Sequence, residues 1–133
     1  MIVVDASALV AFLVEPGVSG HIRVALARHD DDLHAPAHVD LEVMSALRRL
    51  VAAGRLTTPR ATAAVEDFLD LPLVRHSLEP LVSRVWALHP QVSPYDAAYL
   101  ALAEALGTGV LTCDGRLARA HGSPVTVEVV GRA

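Results

Sequence analysis

Four carboxylates, Asp5, Glu42, Asp96 and Asp114, stand where an acid can do more than solvate a surface. Asp5 closes the apolar run "MIVVD", and Asp114 follows another, "GVLTC". Asp96 heads an almost wholly apolar stretch opened by "SPYD", and Glu42 lies in the first turns of "PAHVDLEVMSALRRLVAAG". Singly, each has an ordinary explanation as a strand terminator, a capping-box member, a turn residue or a complement to a helix dipole. Together they point elsewhere, because ligand sites in open parallel sheets gather beyond the carboxyl ends of the strands, and all four segments can reach one such edge. Converging carboxylates repel, and burial makes their ionisation harder still. Shared protons or divalent cations relieve this. Hard oxygen donors without a histidine pair favour Mg²⁺ or Mn²⁺ over Zn²⁺. Two such ions about 3.5–4 Å apart activate a water and stabilise a leaving oxygen in phosphodiester cleavage.

The other polar residues carry weaker signals. Asp40 lies two residues before Glu42, about 200° round the same helix, so both cannot face one ion; Glu42, beside the Val39–Ala46 stripe, is preferred and Asp40 held in reserve. Ser7 and Thr112 are placed to support a carboxylate or a metal-bound water. Arg116, Arg48 and Arg49 are candidates to grip flanking phosphates, or are ordinary surface arginines. His34 and His38 have zinc-like spacing, but Pro36 between them argues against one helical face. Cys113 reads as a small buried strand residue, and Asp30-Asp31-Asp32 as a solvated turn. Trp86, Tyr95 and Tyr99 could stack on bases, although at this spacing aromatics read as core.

Strands and helices alternate in the pattern that must position these groups. "MIVVD" predicts a strand and "SALVAFLVE" a helix closed by Pro16-Gly17; "SGHIRVALARH" is a second helix and "LHA" a second strand. "PAHVDLEVMSALRRLVAAG" forms a long helix with a stripe at Val39, Val43, Ala46, Leu47 and Leu50, stopped by Gly54. "TPRATAAVEDFLD" is a helix, "LVRHS" a strand and "PLVSRVWALH" a helix. "SPYDAAYLALAEALG" starts with Ser93 as cap and Pro94 at the first helical position, and its lack of a polar face predicts burial on most sides. "GVLTC", the short helix "RLARAHG" and the strand "VTVEVV" complete the pattern. It predicts an α/β fold: a mainly parallel sheet of about five strands, covered by helices on both faces.

The 133 residues suit a single domain with one core. No apolar run approaches the ~20 residues of a membrane helix. The opening segment lacks a basic leader and carries Asp5 in its apolar stretch, so no signal peptide is expected. The lone cysteine excludes an internal disulfide and fits a cytoplasmic location. A net charge of −4 argues against a strongly electrostatic nucleic-acid binder. Without the four candidate acids, however, the remaining acids equal the arginines in number, so a metallated site would sit in a nearly neutral protein. Every cation is arginine, whose planar fork suits phosphate. The absence of lysine speaks against a phospho-receiver domain, and Ser7, two residues after Asp5, against a haloacid-dehalogenase-type phosphatase.

The blocks "IVVDASALVAFLVE", "APAHVDLEVMSALRRLVAAGRL", "SPYDAAYLALAEALG" and "VLTCDGRLARA" resemble, in order and separation, the signature blocks of PIN-domain ribonucleases, and in particular VapC toxins of type II toxin–antitoxin systems. The resemblance spans nearly the whole chain. It implies a three-layer α/β/α sandwich, and it implies that Asp5, Glu42, Asp96 and Asp114 hold one or two Mg²⁺ or Mn²⁺ ions, with Ser7 and Thr112 as the accompanying hydroxyls. It further implies metal-dependent endonucleolysis of RNA, tRNA among the candidate targets, a VapB-like antitoxin partner and a homodimer. Some relatives carry a further acid shortly after the last one, where this chain has Arg116. The competing expectation is a non-catalytic PIN-like binding module whose acids are structural.

Overall fold

The computed structural model describes residues 1–119 and 121–131. Five strands, β1 (Ile2–Val4), β2 (Leu33–Pro36), β3 (Leu73–His76), β4 (Val110–Thr112) and β5 (Val127–Val129), form one sheet in the order β3-β2-β1-β4-β5. All pairings are parallel, with Val3 facing His34 on one side and Val110 on the other. Six helices connect them: α1 (Ala6–Val14), α2 (Pro16–Ala27), α3 (Val39–Ala52), α4 (Thr58–Asp70), α5 (Val82–Leu88) and α6 (Pro94–Leu106).

The strand order dictates the layers. From β1 the chain steps outward to β2 and β3, then jumps back past β1 to β4. Right-handed crossovers therefore put α1–α4 on one face and α5–α6 on the other. Helices α1 to α4 accordingly pack among themselves, while α5 packs on α6, which lies across β1, β2 and β4. The reversal between β1 and β4 is the sheet's switch point, where the strands' carboxyl ends part to leave a crevice.

Local chemistry explains the elements. Strands β1 and β2 are buried throughout, as central parallel strands must be. Ala97 through Ala103 are all buried in α6, which matches its missing polar face; Glu104, where polarity returns, pairs with Arg84 at 2.7 and 2.9 Å. Helix α3 buries Val39, Val43 and Leu47 of its stripe, and Ala46 and Leu50 pack partly against the core. Gly54, at φ +71°, lets the Arg55 amide return to Leu50 O at 2.9 Å and closes that helix.

Several boundaries differ from the sequence expectation. Helix α1 ends before Pro16, as expected, but Pro16 also opens α2, three residues ahead of Ser19, since a proline at the first helical position loses no hydrogen bond. Pro36 closes β2, so α3 begins only at Val39. A 3-10 turn at Glu79–Leu81 precedes α5. The segment read as a helix over 116–122 is a 3-10 turn at Gly115–Ala118, and Ala120 lies outside the described residues.

One close approach yields a test. A Cβ at Gly109 would stand 2.7 Å from the Thr126 carbonyl oxygen, the acceptor of the Val110 amide. Gly109→Ala must push β5 off β4, and is expected to cost about 1–3 kcal/mol, seen as a lower urea midpoint with unchanged slope. A midpoint equal to wild type would contradict this packing.

Candidate active site

The cleft is built outward from the end of β1. The Asp5 amide donates to Leu111 O at 3.1 Å, so the β1–β4 ladder runs up to the site itself. The side chain then caps α1: Oδ1 accepts from Ala8 N at 3.0 Å and from Ser7 Oγ at 2.7 Å, and Oδ2 accepts from the Thr112 hydroxyl. Ser7 and Thr112 are themselves 3.1 Å apart, and they accept the amides of Cys113 and Asp114 at 3.0 and 2.9 Å. This hydroxyl pair locks the residues after β4 to the start of α1. Asp5 is only 7% exposed, and its burial, with some contribution from Asp96, lifts its pKa to about 6 despite three donors.

The other three acids face different surroundings. Asp114 caps the 3-10 turn, where Oδ1 accepts the Arg116 amide at 3.0 Å. The Arg116 guanidinium also grips both carboxylate oxygens, at 3.1 and 3.0 Å, and holds Asp114 below the usual carboxylate range. Asp96 is the third residue of α6, and its amide donates to the Ser93 cap at 3.3 Å. Burial first, then the charges of Glu42 and Asp114, push its carboxyl up. Glu42 is half-buried on α3. Its Oε1 accepts the Tyr99 hydroxyl at 2.6 Å and faces His38 Nε2 at 3.1 Å. Burial raises the Glu42 carboxyl, but these two donors, with the charges of His38 and Arg49, outweigh it and leave the group below its ordinary value. Burial and the adjoining Glu42 push the Tyr99 phenol upward, so it remains a neutral donor.

All four carboxylates line a single open cleft of about 660 Å³ at the switch point. Arg116 offsets Asp114 and Arg49 offsets Glu42, so the least compensated negative charge lies at Asp5 and Asp96. Among the described residues no three His, Cys, Asp or Glu side chains stand as a ready ligand set. Three of the acids, Asp5, Glu42 and Asp114, are turned to protein donors. The donor chemistry nevertheless fits a hard cation, because the four acids, Ser7 and Thr112 offer oxygen alone.

The remaining candidates separate cleanly. Asp40 points away and pairs with Arg75 at 2.8 Å. Arg49 and Arg116 line the cleft, whereas Arg48 is not among the lining residues; Arg55, which sequence reasoning missed, is. It arrives there through the turn at Gly54, and nothing in its local sequence announces that. His34 and His38 do not face one another: His34 bonds Asp32 at 2.8 Å and His76 at 2.9 Å across β2 and β3. Cys113 lies beyond the end of β4, half-buried against the cleft, rather than inside the strand. Asp30 and Asp31 take positive φ in the turn after α2, a conformation Asp tolerates. Trp86 and Tyr95 are not core but 70% and 64% exposed, with Trp86 stacked on His89. Tyr99 is core, yet its hydroxyl reaches Glu42. Its role and that of His38 were missed, although Asp96/Tyr99 and His38/Glu42 carry helical spacings that put each pair on one face.

A parallel α/β/α sandwich with an acid-lined crevice at its switch point defines the architectural class. Residues 2–122 match the PIN domain, and the chain belongs to that family. It is 39% identical over 130 residues to Ribonuclease VapC12 of Mycobacterium tuberculosis, covering 98% of this chain and 99% of that protein. It is 43% identical over 120 residues to Ribonuclease VapC3 of the same species, covering 90% and 86%. Two crystal structures share the fold: PAE2754 from Pyrobaculum aerophilum, with a TM-score of 0.69 at 22% identity over 96% of this chain and 83% of that one, and Mycobacterium tuberculosis VapC20, with 0.67 at 21% over 92% and 96%.

The strained acid at the centre predicts a pH effect. Asp5 is ordinarily half-protonated at 3.8 and in the fold at about 6, so the folded state binds the proton more tightly. The penalty is complete above about pH 6 and disappears towards pH 4 as both states become protonated. Asp5→Asn can keep the Ala8 and Ser7 bonds and turn its amide to Thr112. In EDTA at pH 7.5 it is expected to stabilise the protein by up to about 3 kcal/mol, and the gain should fade near pH 4. Urea denaturation at both pH values checks this; a variant less stable than wild type at pH 7.5 contradicts the assignment.

Proposed function

We propose that this chain is a divalent-metal-dependent endoribonuclease acting as the toxin of a type II toxin–antitoxin pair. The observation that carries the proposal is the meeting of Asp5, Glu42, Asp96 and Asp114, from four separate segments, in one cleft at the switch point. Its support from relatives is that proteins similar over nearly the whole chain are named VapC ribonucleases. Asp5, Asp96 and Asp114 would hold Mg²⁺ or Mn²⁺, with Glu42 binding directly or through water. Such an ion supplies Lewis acidity and lowers the pKa of a water to be used as nucleophile.

The protein's own groups do the positioning. Ser7, Thr112 and the Ala8 amide fix both oxygens of Asp5, so a ligand gained there needs no rotamer search. Asp96 rides on a buried helix, whose packing fixes its backbone. Arg49, Arg55 and Arg116 rim the acids and can take the phosphates on either side of the scissile bond. Arg116 has a double role: it neutralises Asp114 until a cation arrives, and its guanidinium, 84% exposed, is then free to turn to phosphate. In family terms the partner is a VapB-like antitoxin and the assembly a homodimer, acting in the cytoplasm on RNA, with tRNA a candidate target. Exposed Leu78, Val82, Trp86 and Tyr95, beside a small apolar groove, offer surface for a protein partner. Among the described residues no helix is long and apolar enough to cross a membrane.

Incubating the purified protein with labelled total RNA in Mg²⁺, Mn²⁺ or EDTA tests the proposal. Cleavage is expected with either metal, none in EDTA, and a loss of about 100-fold or more in Asp96→Asn, beyond the 10–100-fold typical of groups behind a ligand. Cutting that survives EDTA, or wild-type rates in a folded Asp96→Asn protein, would overturn it; RNA left intact in every arm would favour the binding module.

A further inference from the structure

We infer that Tyr99 and His38 are positioning residues that hold Glu42 by one carboxylate oxygen and leave the other for a cation in the cleft. The inference rests on the reading of Glu42 as part of the metal-holding group. Both donors converge on Oε1, at 2.6 Å from the Tyr99 hydroxyl and 3.1 Å from His38 Nε2. No hydrogen bond to Oε2 is found among the described residues. A glutamate has three free torsions, so without such anchors it must be ordered at the moment of binding, at an entropic cost.

The anchors are rigid for separate reasons. Tyr99 is 1% exposed in the middle of α6. Its hydroxyl donates from α6 to Glu42 on α3. His38 Nε2 stands 3.1 Å from Tyr95 O as well as from Glu42. Two acceptors around one nitrogen require the proton to be on Nε2, which then bridges α3 to the first turn of α6. Glu42 and Asp96 belong to different helices, and these two bridges span the gap between them. Tyr99 follows Asp96 by three residues and His38 precedes Glu42 by four, so each helix that supplies an acid also supplies a fastener for the pair.

Calorimetric titration with Mn²⁺ tests this apart from catalysis, with far-UV spectra and melting curves as checks on folding. Tyr99→Phe keeps the ring and removes only the donor; it is expected to weaken Mn²⁺ binding about 10–100-fold. His38→Ala should also weaken it, while His38→Gln, which retains an N–H at the same reach, should recover most of the loss. In a Glu42→Gln background, Tyr99→Phe should cost nothing further, because the carboxylate it positions is gone. Wild-type Mn²⁺ affinity in both Tyr99→Phe and His38→Ala would overturn the inference, as would losses that add in full on top of Glu42→Gln. If Glu42→Gln itself binds Mn²⁺ like wild type, the failure lies in the reading of Glu42 and the inference falls with it.

Discussion

The structure depends on one electrostatic conflict: carboxylates from four segments share a crevice where water cannot fully screen them. Asp5 bears most of it, being nearly excluded from solvent. Three donors hold its charge in place without removing the cost of burying it. Charge buried without full compensation destabilises the fold, and a cation held in the cleft, as proposed, would relieve it. The neighbouring acids ease the strain unequally, through Arg116 at Asp114 and through Tyr99, His38 and Arg49 at Glu42.

The sheet makes this conflict unavoidable. Because β4 pairs with β1 and not with β3, the ends of the two strands lie side by side, with Val4 opposite Leu111, and a helical segment begins beyond each. Asp5 and Asp114 are the caps of those segments, so the same side chains that satisfy unpaired amides also face the crevice. Ser7 and Thr112 stitch the two starts together. The acids are thus held by elements that cannot move independently of the sheet.

Helix α6 links the layers. Its alanine-rich body lets it lie close over β1, β2 and β4, and it carries Asp96 and Tyr99 on one face, Asp96 lining the cleft and Tyr99 bonded to Glu42. The packing that buries the helix also fixes the distance at which these groups stand from α1 and α3. Stability and site geometry here come from the same contacts.

The sequence alone determined the alternation of elements, the parallel sheet, the burial of α6 and the candidate acids, because each is written in local periodicity, capping residues or strand ends. The preference for Glu42 over Asp40 followed from helical phase. It did not determine where the long α3 begins, since Pro36 suits a strand end as well as a helix start, nor that Pro16 opens a helix. Only the tertiary structure decided which arginines reach the cleft, with Arg55 delivered by the turn at Gly54 and Arg48 left outside. It also decided that Trp86 and Tyr95 face solvent while Tyr99 turns inward to a carboxylate. Spacing along one helix shows which residues share a face, but what that face meets depends on the crossover that places the next helix against it.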